Sequence, residues 1–229
     1  MSLGQSAHEA SVMSPIDAIL EFINPGCQRL LDIGCGAGHL SDDLVSGRRT
    51  VIALDPFVVP GAPALRIQGD AEPLPVVDDI FDSVLFHWSL HHVPQDQMSL
   101  ALREAMRVLT QTGVLYVVEP EPIGSWHEVC QSFHDETAVQ NSAAVEVDLL
   151  VQQSAGRRRQ AYYFYEDHFD NFEEWVTELM ELPHNDYSEK AVRSSLVKDQ
   201  FERCREATKY VLRQRVRMEA HRYYHRSRR

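Results

Sequence analysis

Residues 30–38 read LLDIGCGAG, an apolar run that meets an acid and then breaks into three glycines at alternate positions. Unbroken apolar side chains suit a strand covered on both faces, as strands of a parallel sheet are. Gly34, Gly36 and Gly38 then form a turn in which backbone can approach a ligand that any Cβ would obstruct. The stretch predicts a buried strand followed by a nucleotide-cradling turn.

The same reading extends in both directions. Upstream, Ser14, Pro15 and Asp17 make a helix entry, with an N-cap hydroxyl, a proline at the first helical position and an acid facing the helix dipole. Ile16, Ile19, Leu20 and Ile23 follow at helical spacing, and Asn24, Pro25 and Gly26 end the segment. Downstream, a short helix carries Leu40 and Leu44, and a strand over 50–54 ends at Asp55. Further strands are expected at 65–68, 83–86 and 114–119, with a helix over 97–109 and a turn at 110–113. Strands alternating with helical crossovers imply an α/β, doubly wound, mostly parallel sheet.

After Glu119 the pattern changes. Segments 126–153 and 169–182 read as helices, 157–160 as a basic turn, 162–165 as a strand and 183–188 as a loop; 189–208 reads as one further helix. Residues 210–220 alternate, with Tyr210, Leu212, Val216 and Met218 on one side and Arg213, Arg215 and Arg217 on the other. A period of two predicts a strand whose arginines decorate a sheet face. The expected organisation is one domain: a tail at 1–13, a ligand-binding core at 14–120, a mainly helical variable region or lid at 121–208, and a final strand with a basic tail at 209–229.

The glycine spacing separates cofactors. A dinucleotide fingerprint GxGxxG needs its third glycine at position 39, which is His39; the third glycine is Gly38, and no GxxxxGK[ST] phosphate loop occurs. The pattern DxGxGxG resembles the first motif of class I S-adenosylmethionine (SAM) dependent methyltransferases, in their small-molecule, methyltransferase-11-like branch. Asp55, the string GDAEPLP at 69–75, FDSVLFHWSLHHV at 81–93 and LREAMRVLTQTGVLYVVEP at 102–120 extend the resemblance over about residues 28–120. It implies a Rossmann-like fold with a seven-stranded sheet and a helical insertion after strand five. It also implies SAM as cofactor, S-adenosylhomocysteine as product, and a cofactor set of Asp32, Gly34, Gly36, Gly38, Asp55, Asp70, Ala71 and His87. Asp32 is then expected near the methionine amino group, Asp55 on the ribose hydroxyls and Asp70 with Ala71 on the adenine edge.

Methyl transfer is an in-line displacement on an activated donor, so the protein mainly aligns the reactants and removes a proton where the acceptor needs it. His91 is the preferred general base, because an imidazole takes a proton near neutral pH. His87 and His92 are the alternative rings. Glu119 is read as orienting an amine or hydroxyl acceptor, with a helix cap as its other reading. His91, His92, Glu119, Glu121 and His127 show no recognised metal-ligand spacing such as HExxH, and no metal is assigned.

The 229 residues carry 22 basic and 34 acidic side chains, a net charge of -12, which argues against nucleic acid or an anionic membrane as the main partner. The basic exception is the C-terminal run Arg213, Arg215, Arg217, Arg222, Arg226, Arg228 and Arg229. Four scattered cysteines without a CxxC pair suit a reducing, cytoplasmic setting, and no apolar run approaches the roughly 20 residues that span a bilayer. The leading expectation is a methyltransferase for a small-molecule acceptor. A tRNA or other RNA methyltransferase using the arginines, and a non-catalytic SAM-binding protein, are the alternatives.

Overall fold

The computed structural model describes residues 11–153, 156–181 and 187–223. Most of the expected tail at 1–13, the loop at 183–188 apart from its last two residues, and Arg226, Arg228 and Arg229 lie outside that range. Helix α1 (Pro15–Phe22) starts as its sequence predicts, with the Ser14 side chain accepting the Asp17 N–H. Strand β1 (Arg29–Ile33), helix α2 (His39–Leu44), and strands β2 (Thr50–Asp55), β3 (Leu65–Gln68) and β4 (Phe81–His87) follow. A 3-10 turn (Leu90–His92), helix α3 (Met98–Val108) and strand β5 (Leu109–Pro120) complete the first half. Residues 110–113, expected as a turn, lie within β5 where its register to β4 shifts, between the pairs Phe81–Leu109 and Ser83–Val114.

Strands β1 to β5 run parallel in the order β3-β2-β1-β4-β5. Chain order reverses between β1 and β4, and such a switch point opens a crevice at the carboxyl ends of the strands. Alternation divides the core into two layers. Leu30, Leu85 and Tyr116 face the cluster with α1, whereas Leu31, Phe86 and Leu115 face the cluster with α3. Both faces are covered, which is why these strands read as continuous apolar runs.

The second half departs from expectation in four places. Among the described residues the sheet has eight strands, not seven, and is mixed: β8 (Lys209–Tyr223) pairs antiparallel with β5, β6 (Gly156–Phe169) pairs antiparallel with β8, and a short β7 (Arg205–Glu206) also pairs with β8. Arg157–Gln160 is therefore strand and not a basic turn; Arg158 is held there by Glu219 at 2.8 Å and Asp148 at 2.7 Å. The expected helix at 126–153 is interrupted between α4 (Ser125–Cys130) and α5 (Thr137–Gln153), where the Asp135 carboxylate accepts the Thr137 N–H. The expected helix at 189–208 is α7 (Glu189–Val192) and α8 (Ser195–Glu202), because the Ser194 hydroxyl accepts the Val197 N–H and starts a new helix. Hydroxyl and carboxylate side chains compete for backbone N–H groups in this way and end helices that apolar periodicity alone would continue.

Helix α6 (Phe172–Met180) joins α4, α7 and α8 around a third apolar cluster centred on Trp175 and Phe201. It rests on Phe169 of β6 and Leu212 of β8, beyond the cofactor-side half of the sheet. Among the described residues no helix is long and apolar enough to cross a membrane.

Candidate functional site

A cavity of about 430 Å³ opens at the β1/β4 switch point, walled by Gly34, Gly36, Asp55, Asp70, Ala71 and Trp88 among others. Its floor is the glycine turn. Gly34 has φ +74°, and a Cβ there would stand 2.5 Å from Cβ of Ser89. Ser89 cannot retreat, because its hydroxyl donates to the Ile33 carbonyl at 2.6 Å. Gly38 has φ +80°, a conformation that strains any other residue, and the Arg66 guanidinium lies against it. The glycines thus serve the packing of the loop as well as the opening above it.

Asp55 ends β2 with its carboxylate fixed: Oδ2 accepts the Gly36 N–H and Oδ1 the Phe57 N–H, both at 2.8 Å. A carboxylate has about four acceptor positions, so two remain for a vicinal diol. Asp32 lies behind the glycine turn and not on the cavity wall; it is 2% exposed, one oxygen takes the Ser41 hydroxyl, and Oδ1 has no hydrogen-bond partner. Burial pushes its carboxyl up to about 6, against the lowering influence of Ser41 and Arg66. An acceptor with no donor beside a glycine turn fits a cationic amino group. His87 is likewise off the wall, stacked on Trp88 with ring centroids 5.6 Å apart, and burial lowers it to about 4.

The Asp32 shift carries a sign. A carboxyl raised in the folded state stabilises the protein only while protonated, below the unfolded value near 4, and that stability is lost as pH rises through about 6. Asp32→Asn is expected to unfold at higher denaturant than the parent protein at pH 8, by up to about 3 kcal/mol, with the gap closing toward pH 4. Urea melts across that range check it; a gap that widens on acidification would contradict the assignment.

A second cavity of about 170 Å³ adjoins the first, sharing Trp88 and His92 with it; His91, Trp126, His134 and Glu136 are among its other walls. His91 is 4% exposed and Glu119 2%. Nδ1 of His91 hydrogen-bonds to Oε2 of Glu119, while Oε1 accepts the backbone N–H of Leu90 at 2.8 Å and of Ser89 at 3.3 Å. Glu119 therefore both caps the turn and clamps the ring. In the neutral ring a proton on Nδ1, facing the Glu119 carboxylate, would leave the lone pair on Nε2, and Oε1 of Glu136 lies 3.8 Å from that nitrogen. Burial by itself would lower His91, but the Glu119 charge and hydrogen bond and the Glu136 charge outweigh it and raise the imidazole above its ordinary value. Glu136 also receives Nε2 of His134 at 3.1 Å.

The fold brings together five of the eight residues expected around the cofactor, Gly34, Gly36, Asp55, Asp70 and Ala71, on one wall. Asp32, Gly38 and His87 stand behind it. His91 and Glu119 are in contact. Glu136 was not among the sequence candidates, and no motif announces it: it reaches the site only because the 126–153 segment breaks before α5.

Comparison with known proteins agrees with this fold. Residues 31–117 match the family described as methyltransferase domain. The malonyl-[acyl-carrier protein] O-methyltransferase of Methylococcus capsulatus is 32% identical over 128 residues, covering 49% of this chain and 44% of that protein. The demethylmenaquinone methyltransferase of Mycobacterium tuberculosis is 36% identical over 102 residues, 42% of each. The chain spans about half the length of the curated relatives it matches. In fold, the YcgJ protein of Bacillus subtilis superposes with a TM-score of 0.58 at 17% identity, over 91% of this chain and 97% of that one. Over residues 31–117, then, the chain is similar to methyltransferase domains, and over most of its length its fold is that of the YcgJ protein.

Proposed function

We propose that the protein transfers a methyl group from SAM to a small-molecule acceptor held in the second cavity. The observation that carries this reading is the junction of two cavities across Trp88 and His92, one with the carboxylates and glycines suited to the donor and one lined by the His91 ring. When bound, SAM supplies an activated methyl group on a sulfonium centre. Asp55 would hold the ribose diol and Asp70 and Ala71 the adenine edge, while Asp32, behind the glycine turn, would attract the methionine amino group by its charge; Gly34 and Gly36 leave backbone free to approach.

On the acceptor side, Nε2 of His91 takes the proton of a hydroxyl, thiol or amine, and Glu119 fixes the tautomer and the ring plane. Trp126, His127, Cys130 and Glu136, from the region after Glu119, line the acceptor cavity, which is consistent with a lid role for that region. A cavity of about 170 Å³ suits a small group or the end of a longer molecule. Relatives named for malonyl-[acyl-carrier protein] and for demethylmenaquinone support such an acceptor. For the RNA alternative, Arg158, Arg213, Arg215 and Arg217 each engage carboxylates, which lessens the charge they could offer to phosphates.

A library of hydroxyl, thiol and amine acceptors incubated with protein and SAM, read by mass spectrometry for S-adenosylhomocysteine, tests the proposal. Turnover with one chemical class, abolished by His91→Ala while SAM still binds, is expected. SAM binding with no turnover on any acceptor would favour the non-catalytic reading instead.

A further inference from the structure

His91 and His92 are neighbours on one 3-10 turn, yet their rings converge, with centroids 4.1 Å apart. Glu136 arrives from the opposite side, on the segment between α4 and α5. One nitrogen from each histidine and one carboxylate oxygen lie within 4.8 Å of one another, all on the wall of the second cavity. We propose that His91, His92 and Glu136 bind one first-row divalent transition cation, of the Zn²⁺ class, with an open position facing the acceptor cavity.

Three features support it. First, two imidazoles and a carboxylate suit Zn²⁺, Fe²⁺, Co²⁺ or Ni²⁺, whereas Mg²⁺ and Ca²⁺ prefer oxygen alone. Second, a ligating histidine almost always gives its other ring N–H to a carboxylate, a backbone carbonyl or a water, and Nδ1 of His91 has the Glu119 carboxylate in that place. Such a partner fixes the ring so that Nε2 faces the would-be ion. Third, the cavity supplies entry and room for an exogenous ligand, the arrangement of catalytic sites with three protein ligands. Metal–ligand bonds of about 2.0–2.2 Å set tetrahedral ligand atoms roughly 3.4 Å apart, so separations of up to 4.8 Å close by at most about 1.4 Å, and His92 lies exposed at the mouth, where its ring can turn.

The consequence deepens the proposed function and rests on it: the cation takes the place of the proton at Nε2. An acceptor hydroxyl or thiol then coordinates it, the O–H or S–H bond breaks, the electron pair stays on the coordinated atom and the proton leaves to solvent. His91 keeps its place at the reacting centre as a ligand, with Glu119 behind it.

The site is tested without donor or acceptor. Tag-free protein, stripped with chelator and dialysed, is titrated with Co²⁺ while visible d–d absorption is followed. Saturation at one cation per chain, reversed by Zn²⁺, is expected. His92→Ala and Glu136→Gln should each weaken binding at least about tenfold, and Glu119→Gln, which removes no ligand, by about 10–100-fold. His168→Ala, at an exposed histidine elsewhere, should change nothing. Absence of saturable absorption, or equal affinity in the parent and the His92→Ala/Glu136→Gln double variant, overturns the proposal. SAM titration of the same samples separates the outcomes: protein that binds SAM but no Co²⁺ loses the cation site and keeps His91 as direct proton acceptor, and protein that binds Co²⁺ but no SAM loses the proposed function alone.

Discussion

Asp55→Ala is expected to weaken SAM binding at least about a hundredfold in isothermal titration, the largest binding effect of any single substitution at the donor cavity. The carboxylate is pre-set by the Gly36 and Phe57 N–H groups at 2.8 Å, so it would meet the ribose without reorganising. Each hydrogen bond to a charged group contributes about 1.5–3 kcal/mol, and two correspond to two or more factors of ten. Asp55→Asn should lose less, since its carbonyl still accepts one hydrogen bond while its NH₂ opposes a backbone donor. The substitution also frees two N–H groups in the glycine turn, so thermal melting must accompany the titration. A hundredfold loss with a small change in melting temperature is the predicted pattern; unchanged affinity would mean that the donor does not lie against β2.

Trp175→Ala is expected to destabilise the protein by about 3–5 kcal/mol, the range for emptying a buried aromatic site. Trp175 is 0% exposed and lies among Phe201 at 5.4 Å, Phe172 at 5.4 Å and Trp126 at 6.4 Å between ring centroids. No small rearrangement refills that space, because its neighbours are rigid rings. At about 2–4 °C per kcal/mol for a chain of this size, the melting temperature should fall by roughly 6–20 °C. Trp126 and Leu179 belong to or pack on this cluster and also line the second cavity. The variant should therefore lose acceptor turnover before it loses SAM affinity, which resides in the cores around β1 to β5. A loss below about 1 kcal/mol would show that the cluster is not an integral core.

The first half was readable because its signals are local and mutually consistent. LLDIGCGAG, Asp55 and Asp70 each fall at the carboxyl end of a parallel strand, and a sheet covered on both faces leaves little choice of register. The switch-point cavity follows from strand order. Beyond Glu119 the decisive interactions span long sequence separations. Arg157–Gln160 looks like a charged turn until Glu219 of β8, which balances Arg158, is brought beside it. The break at 131–136 ends in a side-chain cap, Asp135 on the Thr137 N–H, and places Glu136 beside His91. Adjacent histidines at 91 and 92 carry no ligand spacing in themselves, since their third partner is set by how α5 packs against the 3-10 turn.

The most direct test of the account is a crystal structure of the protein with S-adenosylhomocysteine. The account predicts the ribose hydroxyls on Asp55, the adenine beside Asp70 and Ala71, the amino group toward Asp32, and the sulfur at the Trp88 and His92 junction, facing the cavity that holds His91. Ligand in another place, or with its sulfur turned away from that junction, would contradict it.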